Sequence, residues 1–139
     1  MSVLGNYSEG QKNFGLLILR IGIGVMFIMH GYHKIIGGPD KWEKLGHAMG
    51  ELGITFVPVF WGFMAALAEF GGGILLIIGL MFRPACLLLL FTMVVATLMH
   101  MGKGDSIVDA SHSIEMGILF LSLLFIGPGR YRVGKVVLD

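Results

Sequence analysis

The chain has 139 residues, of which 55% are hydrophobic and 14% charged, with a formal net charge of +1 and a mean hydropathy of +0.83. Soluble domains carry about 25% charged residues, so this composition belongs to a bilayer, and a net charge near zero gives no reason to expect a nucleic-acid partner. The single cysteine, Cys86, lies in an apolar run, which excludes an intrachain disulfide framework and a CxxC metal site.

The length suits one domain, residues 1–139. It opens on "MSVLGNYSEGQKNFG", a polar stretch, and the apolar run after it lacks a small-residue cleavage site, so no signal peptide is expected. The first apolar segment, about 14–31, is long enough to span a membrane, which takes roughly 20 residues. It ends in "HGYHK", and the loop that follows contains "PDKWEKLGHAMGELG". There Asp40 and Glu43 form a capping-box-like pair. Trp42, Leu45, Met49 and Leu52 recur at helical spacing, and Gly53 can end the segment. The expectation is a short amphipathic helix lying in the membrane interface, with His47 on its solvated side.

Three further spans follow, at about 57–81, 84–100 and 113–126. Only "FRP" separates the second from the third, with Pro84 suited to the first position of a helix, so these two should form a tight hairpin. The fourth is short unless counted from Ser111. "GPGR" stops it, and Arg130, Tyr131 and Arg132 suit an interfacial anchor. Four spans put both termini and Arg83 on one side. That side carries Lys12, Arg83, Arg130, Arg132 and Lys135, against Lys34, Lys41, Lys44 and Lys103 on the other. The positive-inside rule then favours cytoplasmic termini by a narrow margin. All five histidines fall on the opposite side whichever way the chain is oriented.

Charges within the spans are costly, about 2.5–3.5 kcal/mol on insertion scales, and usually face the protein interior. On a helical wheel Arg20, Gly24, Phe27, Gly31 and Lys34 share one stripe with His30 on its flank, while His33 points nearly the opposite way. Glu69 shares a face with Gly62, Ala65, Ala66, Gly72 and Gly73, small residues that let membrane helices approach closely. An Arg20–Glu69 pair is therefore expected, either as a structural fastener or as polar handles for a ligand. At the opposite end of the bundle the spacing gathers His30, Lys34, His100, His112 and Glu115. Lys34 and Glu115 would offset each other's charge there. Imidazole and carboxylate can ligate a metal or haem iron or exchange protons with a quinone. Polar residues also gather wherever helices meet water, which is the reading for His33 and His47. No HExxH or dense ligand motif supports a dedicated metal site.

The segments "LLILRIGIGVMFIMHGYHKI", "LAEFGGGILLIIGLMFRPACLLLL" and "EMGILFLSLLFIGPGRY" together resemble the DoxX family of small four-helix membrane proteins, over about residues 14–132. The matching positions are Arg20, Gly24, His30, Gly31, Lys34, Glu69, Gly72, Gly73, Arg83, Glu115 and the run from Gly127 to Tyr131. His100 and His112 belong to no motif of that family. The resemblance implies an integral membrane protein with four transmembrane helices, and links to quinol oxidation, sulfur-compound oxidation and membrane oxidoreductase complexes.

The expectation is thus an all-α polytopic membrane protein, a four-helix transmembrane bundle with one interfacial helix, in a bacterial-type inner membrane. Three functions fit. One is a redox-linked subunit, part of a quinone-linked membrane oxidoreductase with a membrane or soluble partner; quinone is the favoured cofactor, ahead of haem or metal. Another is a binding or transport protein for a small lipophilic molecule held near Arg20 and Glu69. The third is a non-catalytic assembly subunit. Self-association is compatible with all three.

Overall fold

The computed structural model describes residues 5–133, so Lys135 of the charge count lies outside the described residues. Every regular element in that range is helical: α1 Glu9–Ile36, α2 Gly38–Gly46, a 3-10 turn His47–Leu52, α3 Pro58–Ile78, α4 Phe82–Gly102 and α5 Ser111–Ile126. Helices α1, α3 and α4 are long and apolar enough to cross a membrane, and α5 is a shorter apolar helix.

Helix α1 starts five residues before the expected span and ends five after it. Its start is a capping box: Gln11 N–H donates to Ser8 Oγ at 3.2 Å, and Ser8 N–H donates to Gln11 Oε1 at 2.8 Å. "HGYHK" is therefore regular helix, and the wheel drawn from the sequence applies to it. The buried stripe of α1 is Arg20, Gly24, Phe27 and Gly31. Helix α2 begins before Asp40, with Pro39 in its first turn and no side-chain cap, so the expected Asp40–Glu43 box does not form. Proline pre-sets the first turn and gives up an N–H that would be unpaired there anyway. The 3-10 turn ends on Gly53 in the left-handed region, φ 78°.

Helices α3 and α4 form the tight hairpin, joined by Gly79, Leu80 and Met81, with φ 73° at Gly79 and 47° at Met81. Helix α4 starts at Phe82, which moves Pro84 from the first to the third position, still within the turn whose N–H groups lack helical partners. At Gly127, φ 85° ends α5.

Close backbone approach sets the packing. A Cβ at Gly31 would overlap the backbone of Ala66 and Phe70, and one at Gly24 the carbonyl of Gly73 and the side chain of Ile77. These contacts fix the register of α1 against α3. Gly46 lies against Pro58 and Gly62 against Trp42, which clamps α2 across the start of α3. Trp42 Nε1 donates to Lys34 O at 2.9 Å and ties α2 to the end of α1. Helices α1 and α5 meet through side chains, with Phe27 edge-on to Phe120 at 5.2 Å. The core consists of Phe27, Leu76, Phe82, Cys86, Leu89, Met93, Phe120 and Leu123. Outside it, Ile18, Val25, Met29, Leu87, Phe91, Ile118 and Phe125 are exposed, an apolar exterior that suits lipid.

Candidate functional site

At the terminal end of the bundle, Arg20 is 1% exposed and reaches no carboxylate among the described residues. The expected Arg20–Glu69 pair is not formed. The guanidinium instead donates from Nε to Leu76 O at 2.9 Å and from Nη2 to Ile77 O at 2.8 Å. Its Nη1 serves Pro128 O at 3.0 Å and Tyr131 O. A helix leaves its last four carbonyls without helical donors. For α3 all four are answered: Leu75 by Gly79 N–H, Leu76 and Ile77 by Arg20, and Ile78 by Val133 N–H. A cation is also well placed at the negative end of a helix dipole. Arg20 is therefore a cap for α3, supplied from α1, that also holds the chain after α5.

Glu69 pairs with Lys34. Nζ lies 2.7 Å from Oε1, with the Lys34 side chain 28% exposed and the Glu69 side chain 4% exposed. Side chains lean toward the N-terminus of their helix, so a lysine near the end of α1 reaches back into the bundle. Lys34 thus leaves the expected cluster and does not meet Glu115, which is exposed on α5.

Of that cluster, the structure brings His30 and His112 together, with ring centroids 6.0 Å apart. Both are exposed. His100, in the last turn of α4, is held by Asp105 of the loop that follows, Nδ1 to Oδ2 2.9 Å. His33 is exposed beside Tyr32, and His47 is exposed 4.0 Å from Glu43. Among the described residues no group of three or more His, Cys, Asp or Glu is placed to hold a metal. In the adjoining loop, Ser106 donates to Asp109 from both N–H and Oγ, which holds that carboxyl below its ordinary range.

The second oxygen of Glu69, Oε2, is buried and has no hydrogen-bond partner among the described residues; nor has Trp61 Nε1. Both residues line one cavity of ≈ 460 Å³ between α3 and α4, roofed by Leu45, Ala48 and Met49 from α2 and the 3-10 turn. Lys34 lines it too, and the rest of its wall is almost wholly apolar. Ligand sites are commonly about 300–1,000 Å³, mostly apolar, with a few convergent polar groups. A smaller groove of ≈ 280 Å³ lies between α4 and α5, where Thr97 and Ser113 satisfy each other at 2.8 Å. Of these two cavities, the α3–α4 one is lined by the residues whose buried polar atoms lack partners among the described residues.

Sequence reasoning missed Trp61 and the carbonyls around Arg20, and read Trp42 only as part of the apolar face of the interfacial helix. The missing cap at the end of α3 was the available signal for those carbonyls. Trp61 had none, because an orphaned indole N–H is a property of the packed structure.

The sequence pattern of the DoxX family matches residues 15–102, the segment that holds Arg20, Lys34, Trp61 and Glu69. Relatives match over nearly the whole chain. Inner membrane protein YqjF of Escherichia coli is 30% identical over 91% of this chain and 94% of its own length. An uncharacterized protein of Haemophilus influenzae is 32% identical over 96% and 95%. Inner membrane protein YphA of Escherichia coli is 27% identical over 86% and 88%. No solved structure matches. Apolar helices with charge kept inside them, a family pattern spanning the residues that bury it, and full-length kin among inner membrane proteins agree: this chain is an integral membrane protein of the DoxX family.

Proposed function

We propose that this DoxX protein crosses the membrane four times and holds a small lipophilic molecule between α3 and α4. The observation that carries the reading is the apolar ≈ 460 Å³ cavity lined by Glu69, whose Oε2 is buried and unpartnered among the described residues. Several wall residues, Phe60, Met64, Leu67, Leu88 and Phe91, are also exposed on the outer surface. The cavity therefore opens sideways toward lipid, while α2 covers its aqueous end. A molecule dissolved in the bilayer can enter without passing through water.

The direct test is organic extraction and mass spectrometry of protein purified in mild detergent. Wild type should yield a lipophilic molecule near one per chain. Ala68→Phe and Ala96→Phe, which add rings to the cavity wall, should cut the yield at least tenfold while the melting temperature stays measurable. Equal yields from all three would remove the cavity as the site.

The redox reading is a narrower case of the same site. A quinol hydroxyl suits Glu69 as acceptor, and a quinone carbonyl suits Trp61 as donor, so the donor set fits either form. A subunit that binds quinone and passes it to a partner oxidoreductase would need no cofactor motif of its own. A quinone in the extract, with quinone reduction by membranes falling in Glu69→Gln, favours this case. His30 and His112, whose rings approach to 6.0 Å, would be a secondary, water-facing pair, with Glu115 exposed three residues further along α5.

Both termini are proposed to lie in the cytoplasm, from the slight excess of Lys and Arg at that end. A reporter active only in the periplasm, fused after Asp139, should stay silent. A strong signal reverses the orientation.

A further inference from the structure

The polar atoms of the cavity restrict the chemistry of its occupant. Lys34 Nζ donates to Glu69 Oε1 at 2.7 Å, and a carboxylate in an ion pair offers acceptor oxygens alone. Oε1 is used by Lys34, and Oε2 is buried without a hydrogen-bond partner among the described residues, on a cavity-lining side chain that is 96% buried. The occupant must bring a donor. Lys34 already balances the charge of Glu69, so a second cation would leave a net positive charge in an apolar wall, which is costly. A neutral donor, a hydroxyl, fits without that cost. Trp61 Nε1 is the complement, a buried donor with no acceptor among the described residues. It lies eight residues before Glu69, about 12 Å along the axis of α3 at 1.5 Å per residue. One oxygen does not serve both groups.

Resting on the lipophilic-ligand reading above, we propose that the cavity selects a neutral, hydroxyl-bearing amphiphile from the bilayer. Its hydroxyl donates to Glu69 Oε2, and a separate acceptor oxygen, nearer the roof, receives Trp61 N–H. The selection is for the hydroxyl proton, not for apolar bulk. An ether or ester of the same shape has no proton to give and leaves a buried carboxylate oxygen unpaired. Hydrogen bonds to charged groups are among the stronger ones, so the discrimination is about tenfold or more.

The probes are 4-octylphenol and its methyl ether, offered as an equimolar mixture to the full chain in nanodiscs. Bound fractions are read by native mass spectrometry and corrected for partition into empty nanodiscs. Wild type should favour the phenol at least tenfold. In Glu69→Gln the preference should fall to about twofold or less, because an amide both donates and accepts. Equal binding of the two probes by wild type overturns the inference but leaves a lipophilic site in place. Binding of neither probe overturns the cavity as a binding site. A preference that survives in Glu69→Gln also overturns the inference, since some other group would then take the proton. Should the glutamine variant not fold, the wild-type ratio decides alone.

Discussion

Lys34→Met destabilises the protein by about 3–5 kcal/mol, and adding Glu69→Leu to it restores most of the loss. Removing one partner of a buried ion pair leaves an uncompensated charge, whereas replacing both with apolar residues of similar size is often neutral. The asymmetry between the partners sharpens the expectation. Glu69 has a side chain only 4% exposed and cannot turn to water, while Lys34, 28% exposed, can withdraw toward the interface. Lys34→Met is therefore the more damaging single change and Glu69→Leu the milder one. Unfolding in mixed micelles, followed by helical circular dichroism, provides the comparison. Losses that simply add in the double variant would show that the 2.7 Å contact carries no coupling. The double variant should also lose the preference for a hydroxyl, because the acceptor is gone although the fold survives.

The angular part of the buried face could be read from the sequence; the axial part could not. The wheel placed Arg20, Gly24, Phe27, Gly31 and Lys34 on one stripe, and the first four are the residues α1 buries, with Lys34 turned inward to Glu69. A wheel says nothing about which level of α1 meets which level of α3. That register comes from Gly24 against Gly73 and Gly31 against Phe70. It sets Arg20 level with Leu76 and Ile77, about 10 Å along α3 from Glu69 by helix rise. Two cations compete for one carboxylate along that stripe, and the register gives it to the nearer. The cavity was less legible still. It depends on how far α3 and α4 stand apart beneath a roof whose 3-10 geometry has no clear sequence signature. His30 and His112 do come together because the later part of α1 and the start of α5 lie on the same side, a consequence of topology.

Arg20→Ala costs about 3 kcal/mol or more and frees the chain after α5. Leu76 O and Ile77 O would lose their donor, and leaving a buried acceptor unpaired costs about 1–3 kcal/mol each. Pro128 O and Tyr131 O would lose theirs too, so the segment that Arg20 holds against α3 would keep fewer ties, among them Val133 N–H on Ile78 O and Arg130 N–H on Asn13 Oδ1. Trypsin should then cut at Arg130 and Arg132 much faster than in wild type. Arg20→Lys should recover less than half of the loss. Its ammonium restores the charge at the end of α3 but cannot reach four carbonyls that the planar guanidinium spans. Glu69 provides the control. Because Arg20 and Glu69 share no partner, the Arg20→Ala and Glu69→Gln losses should add within about 0.5 kcal/mol, and Glu69→Gln should leave the tryptic pattern unchanged. A coupling well above that value would mean that the two residues act on each other through the register of α1 and α3. In that case the cap and the cavity would be two ends of one mechanical unit.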